Sequence, residues 1–196
     1  MKNTFNVLGV AGSTRQGSYS TQALKIVLEY AKKHGAEIRL MELNKIVLPL
    51  YDPRGPVSKQ VEDAAEAVSW ADAFVLTSPD YHGSMSGALK NFLDHFYEEF
   101  AGKLFGYIVA SHEKGLTVME QMRTVVRQCY GWSMPYGVSI NGPQDFTSHE
   151  IVNSKLSNRM RMMARDLVVY GRLVRDQFMQ DLGSSEPDTF AAHYRP

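Results

Sequence analysis

The feature that most constrains the fold is a regular alternation of short strand-like segments with amphipathic segments. In the amphipathic segments apolar residues recur at i, i+3, i+4 and i+7, as in residues 24–31, which indicates helices. Parallel strands need such crossover helices, so the pattern predicts an α/β fold: a doubly wound parallel sheet with helices on both faces. Five strands favour the order 2-1-3-4-5 over a six-stranded dinucleotide-binding sheet. The predicted strands are 5–10, 37–43, 73–78, 104–111 and 134–140.

Length and composition predict one domain over residues 1–196. With 196 residues, 44% of them hydrophobic and 21% charged, the chain is long enough to bury a sizeable core. The tail from about residue 180 has no apolar period and is expected to be extended or loosely ordered. Two helices are expected to begin with capping boxes, one at Thr117 and Glu120 and the other at Thr147 and Glu150.

Charge and cysteine content limit the partners and the compartment. Lys plus Arg and Asp plus Glu both number 21, so the net charge is zero, and we expect neither nucleic acid nor membrane as a partner. Little charge repulsion favours a homo-oligomer, a homodimer or a homotetramer. The single cysteine, Cys129, excludes an internal disulfide and favours the cytoplasm. The first apolar run is too short for a signal peptide or a membrane span.

The segment GSTRQGSYS, residues 12–20, leaves the first strand and enters the first helix. Backbone amides and the helix dipole make such a turn an anion site. It lacks the G-x-x-x-x-G-K-[ST] and G-x-G-x-x-G patterns of nucleotide-binding loops, so a single phosphate monoester fits better. The alternative is a polar surface turn with a helix cap. Candidate donors are the guanidinium of Arg15 and the hydroxyls of Ser13, Ser18, Ser20 and Thr21.

A second segment, SPDYHGSMSGALKNFLDHF, covers residues 78–96 and follows the third strand. Pro79 forces an extended exit from the strand, and Gly83 lets backbone approach a ligand closely. A tyrosine such as Tyr81, beside a free amide, can flank a planar ring and bond its polar rim. The alternative is a tight turn whose tyrosine packs under a neighbouring loop. Ser84 or Ser86 is expected to begin the next helix.

Residues for other chemistries do not stand out. The six histidines form no H-E-x-x-H pattern, so no metal site is predicted. Cys129 falls on the apolar stripe of a helix and is interpreted as a core thiol. We also find no set of nucleophile, base and acid, so no catalytic side chain is predicted.

The two segments, with LPLYD at 48–52, resemble the NADPH-dependent FMN reductase family of flavodoxin-like proteins. The correspondence runs in register over roughly residues 5 to 145. The resemblance implies a flavodoxin-like fold that binds FMN. The first segment would hold the FMN phosphate, and the second would line its ring and ribityl chain. The loop 111–117 would pass near the other side of the flavin. The implied cofactor-binding residues are Ser13, Arg15, Ser18, Tyr19, Ser20, Thr21, Pro79, Asp80, Tyr81, His82, Gly83, Ser84, Ser111 and Gly115.

This chain departs from the family pattern in two places. Ser86 stands where the family usually has proline, a change that we expect to be tolerated. The third loop, Ser111 to Gly115, is poorer in glycine than is usual in the family. Its bulkier, charged residues are expected to reshape the flavin pocket or to lower cofactor affinity.

The function implied by the resemblance is that of an NAD(P)H-dependent oxidoreductase. NADPH or NADH would pass a hydride to flavin N5 and leave, and a small-molecule acceptor would then collect the electrons in a ping-pong mechanism. FMN, a quinone, an azo compound and a metal oxyanion are the candidate acceptors. Two alternatives stay open: a flavodoxin-like electron carrier without NAD(P)H oxidation, and a flavin-free binding protein on the same fold. Zero net charge and the PDYHGS loop favour the reductase.

Overall fold

A computed structural model describes residues 4–147 and 150–195 of the chain. Its main sheet is parallel, and the path β2-β1-β3-β4-β5 confirms the predicted order. β6 also pairs with β4, and so lies at the same edge of the sheet as β5. The strands are β1 (Phe5–Ala11), β2 (Ala36–Glu42), β3 (Ala73–Pro79), β4 (Leu104–Ala110), β5 (Trp132–Ser133) and β6 (Val138–Ile140).

The predicted fifth strand, 134–140, is therefore two short strands on the same neighbour. β5 pairs with the start of β4, through Leu104 and Trp132, and β6 pairs with its end, through Ala110 and Ile140. Pro135 lies in the gap between them and has no N–H to give to a ladder. The break divides the edge of the sheet without changing the strand order.

Helices connect the strands and follow the last of them. They are α1 (Tyr19–Lys33), α2 (Lys59–Trp70), α3 (Gly87–Asp94), α4 (Leu116–Gln128), α5 (Gly142–Asp145) and α6 (Ser154–Leu182). Two-residue strands, β7 (Phe146–Thr147) and β8 (Glu150–Ile151), pair with each other antiparallel before α6. None of the helices in the described ranges is both long enough and apolar enough to cross a membrane.

The helices cover both faces of the sheet, as predicted. Successive residues of β1 point to opposite sides, so Val7 joins one apolar cluster and Leu8 the other. α1 and α6 supply the first cluster, whereas α2, α3 and α4 supply the second. Burial on both faces explains why β1, β3 and β4 are almost continuously apolar.

Both predicted capping boxes are wrong. α4 begins after Gly115, which takes a left-handed φ of 60°, so a backbone turn and not a threonine side chain starts the helix. α6 begins after Asn153, whose side chain accepts from the N–H groups of Lys155 and Leu156. Residues 146–147 and 150–151 are instead taken up by the small hairpin.

The chain after α6 differs from the extended or loosely ordered tail that was expected. Phe190–Tyr194 forms a short 3-10 helix in which Ala191 is fully buried. The ring of Phe190 lies 5.5 Å from that of Phe178 and 6.0 Å from that of Tyr130. A few aromatic contacts anchor this segment, and such contacts leave no periodic pattern in the sequence.

Candidate functional site

The turn after β1 is packed tightly against the turn region after β3. The Gly12 amide donates to the Thr77 carbonyl over 2.9 Å, and the Ser86 hydroxyl donates to the Gly12 carbonyl over 2.5 Å. A Cβ at position 12 would lie 2.5 Å from the Thr77 oxygen, so only glycine fits. This contact brings the first two loops together and gives Ser86, the serine in place of the family's proline, a defined role.

Three hydroxyls cluster at the N-terminus of α1. Ser18 is the N-cap residue, and its Oγ accepts from the Thr21 amide over 3.3 Å. The same oxygen lies 3.2 Å from Ser20 Oγ and 2.8 Å from Thr21 Oγ1. All three residues are buried. The first turn of α1 lies entirely within the described residues and carries no acidic side chain. The cluster thus combines hydroxyl donors with the positive end of a helix dipole.

The second loop forms a tight turn at the end of β3. Tyr81 and Ser84 exchange backbone hydrogen bonds of 3.0 and 3.1 Å. Between them His82 and Gly83 have φ values of 56° and 75°, which is the type I′ pattern. A left-handed histidine costs about 1 kcal/mol, so the surrounding contacts must hold the turn in this shape.

Asp80 is the first of these contacts, and its carboxylate joins the second loop to the third. Oδ1 accepts from the Gly83 amide over 2.8 Å, and Oδ2 accepts from the Ser111 hydroxyl over 3.0 Å. The Ser111 hydroxyl in turn accepts from the Glu113 amide over 3.1 Å. Both carboxylate oxygens of Asp80 therefore shape the site from within the protein.

Gly115 at the end of the third loop is also required by packing. Its φ of 60° is left-handed, and a Cβ would overlap the side chain of Val109. The glycine-poor loop is thus fixed at one end by Ser111 and at the other by Gly115. Between them His112 accepts a hydrogen bond at its carbonyl from the Asn141 side chain over 3.2 Å.

The three loops enclose a groove of about 330 Å³ at the carboxyl edge of the sheet. This is where an open parallel sheet binds ligands. Nine of the predicted cofactor-binding residues line it, namely Ser13, Arg15, Ser18, Tyr19, Ser20, Pro79, Asp80, Tyr81 and Ser111.

The other five predicted residues lie around this groove and do not line it. Thr21 supports the groove through its bond to Ser18. Gly83 and Gly115 line a neighbouring cavity of about 810 Å³. Ser84 lines a third cavity, of about 650 Å³, between α3 and α4. His82 lies exposed at the tip of the turn.

Four residues of the groove were missed by the sequence reasoning: Ala110, His112, Gly142 and Pro143. A Cβ on Gly142 would overlap the Tyr19 ring, so this glycine makes room for a residue of the first loop. The turn signal N-G-P at 141–143, directly after a strand, was available to find the last two.

Ionisable ligands for a metal are dispersed. Over residues 4–147 and 150–195, no three or more His, Cys, Asp or Glu side chains come close enough to hold a metal ion. Cys129 is buried against the second apolar cluster, in agreement with its interpretation as a core thiol.

Comparison with known families identifies the chain. The family model described as NADPH-dependent FMN reductase matches residues 5–144. The chain belongs to the NADPH-dependent FMN reductase family. As a member it is an NAD(P)H-dependent flavoenzyme oxidoreductase, with FMN as its cofactor and NADPH as the donor, which confirms the implied function class.

Individual relatives agree with this assignment. An FMN-dependent NADPH-azoreductase of Staphylococcus aureus (strain USA300) is 27% identical over 176 residues, covering 82% of this chain and 92% of the relative. FerB, a flavoenzyme NAD(P)H:(acceptor) oxidoreductase from Paracoccus denitrificans, has a similar structure, with a TM-score of 0.72, 17% identity and coverage of 87% and 98%. An NADH:FMN oxidoreductase in its apo form gives a TM-score of 0.67, 19% identity and coverage of 95% and 94%. The structural matches support the flavodoxin-like fold.

Proposed function

We propose that this reductase holds FMN in the 330 Å³ groove, with the phosphate at the N-terminus of α1 and the ring beside the Tyr81–Ser84 turn. The observation that carries the proposal is the buried hydroxyl cluster of Ser18, Ser20 and Thr21 at that helix end. Hydroxyls can turn their protons towards an anion, and the helix dipole favours negative charge there. The donor set and the tight Gly12 turn therefore fit a phosphate monoester.

The chain's own residues bind and orient the cofactor. Ser13, Ser18 and Ser20 offer neutral donors to the phosphate, and the exposed Arg15 side chain offers a charged one. Asp80 and Ser111 hold the ring-side turn and the third loop together. Bound FMN supplies two-electron redox chemistry, so the site needs no nucleophile or general base of its own.

The proposed acceptor is a small molecule that takes the position vacated by NADPH, in a ping-pong sequence. The 810 Å³ cavity supports this, because it shares Asp80, Ser111 and His112 with the groove and offers room beside it. A quinone, an azo compound, free FMN and a metal oxyanion are the candidates to be compared.

The first experiment follows the colour of the protein. Purified protein is supplied with FMN and then mixed anaerobically with NADPH, and the visible flavin absorbance should bleach and return when an acceptor is added. Double-reciprocal plots of initial rate should be parallel for each effective acceptor. Lines that intersect would contradict the ping-pong sequence, and FMN that stays oxidised under NADPH would instead favour an electron carrier.

The second experiment tests the location of the phosphate. Arg15→Ala should weaken FMN binding by about 1–3 kcal/mol, as for loss of a charged hydrogen bond, which corresponds to roughly 5- to 150-fold in Kd. The matched control is Arg54→Ala, because Arg54 is also exposed and lies in the loop between β2 and α2. Equal FMN affinity in the two variants would remove Arg15 from the site.

Assembly and compartment are also proposals. We propose a homodimer or homotetramer in the cytoplasm, because exposed apolar side chains cluster along α6 and β5 and the chain has a single cysteine. Tyr170, Leu173 and Trp132 are 52%, 63% and 51% exposed. Light scattering of the purified protein tests the assembly, since a monomer at micromolar concentration would contradict it, and cell fractionation tests the compartment.

A further inference from the structure

The side chain of Gln121, on α4, contacts the turn after β3 at several points. Its Oε1 accepts from the Met85 amide over 3.0 Å. Its Nε2 donates to the Ser84 hydroxyl over 3.3 Å and to the Gly83 carbonyl over 3.4 Å. A single amide group thus uses both its donor and its acceptor end on three consecutive residues.

Gln121 bonds to the turn from α4, whereas the Asp80 contact described above comes from the end of β3. Asp80 accepts from the Gly83 amide, whereas Gln121 bonds to the Gly83 carbonyl and to the two residues that follow. The turn itself is solvent-exposed from Tyr81 to Ser84 and contains two left-handed residues. An exposed turn with strained dihedrals keeps one shape only where neighbouring groups fix it.

The chemistry of the contact requires an amide. A glutamate at position 121 would keep an acceptor for the Met85 amide, but its ionised form has no proton to give and would face the Gly83 carbonyl with negative charge. A leucine would remove both ends and leave the Met85 N–H without this partner. Glutamine is therefore matched to the mixed donor and acceptor pattern of the turn.

We propose that Gln121 is a positioning residue for the ring end of the FMN site. By fixing Gly83, Ser84 and Met85, it sets where the Tyr81–Ser84 turn stands beside the cofactor ring. This inference rests on the proposed FMN location and adds to it a residue that lines neither the groove nor the cavity beside it. Gln121 acts through the turn and lines only the cavity between α3 and α4.

The test compares Gln121→Leu and Gln121→Glu with Gln128→Leu, an exposed glutamine on the same helix. FMN is titrated by fluorescence, and the visible spectrum and reduction potential of the bound flavin are recorded with the melting temperature. Gln121→Leu should weaken FMN binding about tenfold and shift the flavin spectrum, with Gln128→Leu behaving as wild type. Gln121→Glu should bind FMN more weakly than wild type at pH 8, where the carboxylate is ionised and has no proton to donate to the Gly83 carbonyl.

The possible outcomes distinguish failure of the proposed role of Gln121 from failure of the proposed FMN location. If Arg15→Ala weakens FMN binding while both Gln121 variants match wild type in affinity, spectrum and potential, the role of Gln121 is overturned and the FMN location stands. If wild-type protein does not bind FMN, both proposals fail, whereas an Arg15→Ala variant that binds FMN as wild type does removes only Arg15 from the site. Should Gln121→Leu not fold, the FMN affinity of Gln121→Glu at pH 8, relative to wild type and Gln128→Leu, decides the matter.

Discussion

Replacing Ser18 by alanine separates a helix cap from a cofactor ligand. Ser18 Oγ accepts from the Thr21 amide and also contacts the buried hydroxyls of Ser20 and Thr21, at 3.2 and 2.8 Å. Loss of an N-cap costs about 1 kcal/mol. Each buried hydroxyl that loses a partner adds roughly 1 kcal/mol. Ser18→Ala should therefore lower the free energy of unfolding of the FMN-free protein by about 2–3 kcal/mol.

The control for this variant is Ser58→Ala. Ser58 caps α2 with the same geometry, its Oγ accepting from the Val61 amide over 3.3 Å, and it lies outside the groove. Its loss should cost about 1 kcal/mol and leave FMN binding unchanged. For a chain of this size 1 kcal/mol moves the melting temperature by about 2–4 °C, so thermal unfolding without FMN can tell the two variants apart.

FMN titration then gives the deciding comparison. Ser18→Ala should weaken FMN binding by a further factor of about 5–10, because a phosphate donor is lost with the cap. If the two serine variants show the same decrease in melting temperature and both bind FMN as wild type does, the hydroxyl of Ser18 serves only as a helix cap. The reasoning that assigns the hydroxyl cluster to the phosphate would then be refuted.

Four further substitutions test the packing and burial of particular residues. Gly12→Ala should cost about 1–3 kcal/mol of stability and weaken FMN binding, because its Cβ would lie 2.5 Å from the Thr77 oxygen. Gly17→Ala, left-handed but in open space, should cost about 1 kcal/mol with little effect on FMN, and equal FMN affinities in the two variants would contradict this. Burial raises the pKa of Tyr107, so its contribution to stability is complete below about pH 10 and is lost above it by up to 1.4 kcal/mol per pH unit. Urea unfolding from pH 9 to 11 should show this loss in wild type and less of it in Tyr107→Phe, and equal slopes would refute the cause given. Phe178→Ala should lower stability by roughly 1–2 kcal/mol through lost ring contacts with the C-terminal segment, while unchanged proteolysis of that segment would argue against its anchoring.

Local sequence pattern was sufficient to predict the fold and the edge of the sheet at which the groove lies. Buried parallel strands leave continuous apolar runs and amphipathic helices leave a 3.6-residue period, so five strands and their order followed from residues 5–140. Loops after parallel strands meet at one edge of the sheet, so the strand order alone was enough to place the first two loop motifs side by side. Nine of the residues that the family resemblance implied as cofactor-binding line one groove.

The helix boundaries and the C-terminal segment did not follow from the sequence in the same way, the boundaries because competing local caps look alike and the segment because its contacts come from distant residues. α4 begins after the left-handed backbone of Gly115, and α6 begins after the side-chain cap of Asn153. The two threonine–glutamate pairs have the spacing of a capping box but do not cap these helices. The C-terminal segment is fixed by ring contacts to Phe178 and Tyr130, which come from separate parts of the chain.

The sequence by itself determined the strand–helix order and the two loop motifs whose resemblance to the family implied FMN, because each of these depends on residues close together in the chain. Only the tertiary structure decided that Asp80 accepts hydrogen bonds from Gly83 and Ser111 and that Gln121 bonds to the turn after β3. Gln121 lies 36 residues along the chain from Met85, and a hydrogen bond over such a separation exists only after the helix has packed beside the sheet. Sequence spacing carries no signal for it, since nothing in the local pattern of α4 marks Gln121 as a side chain that bonds to the turn.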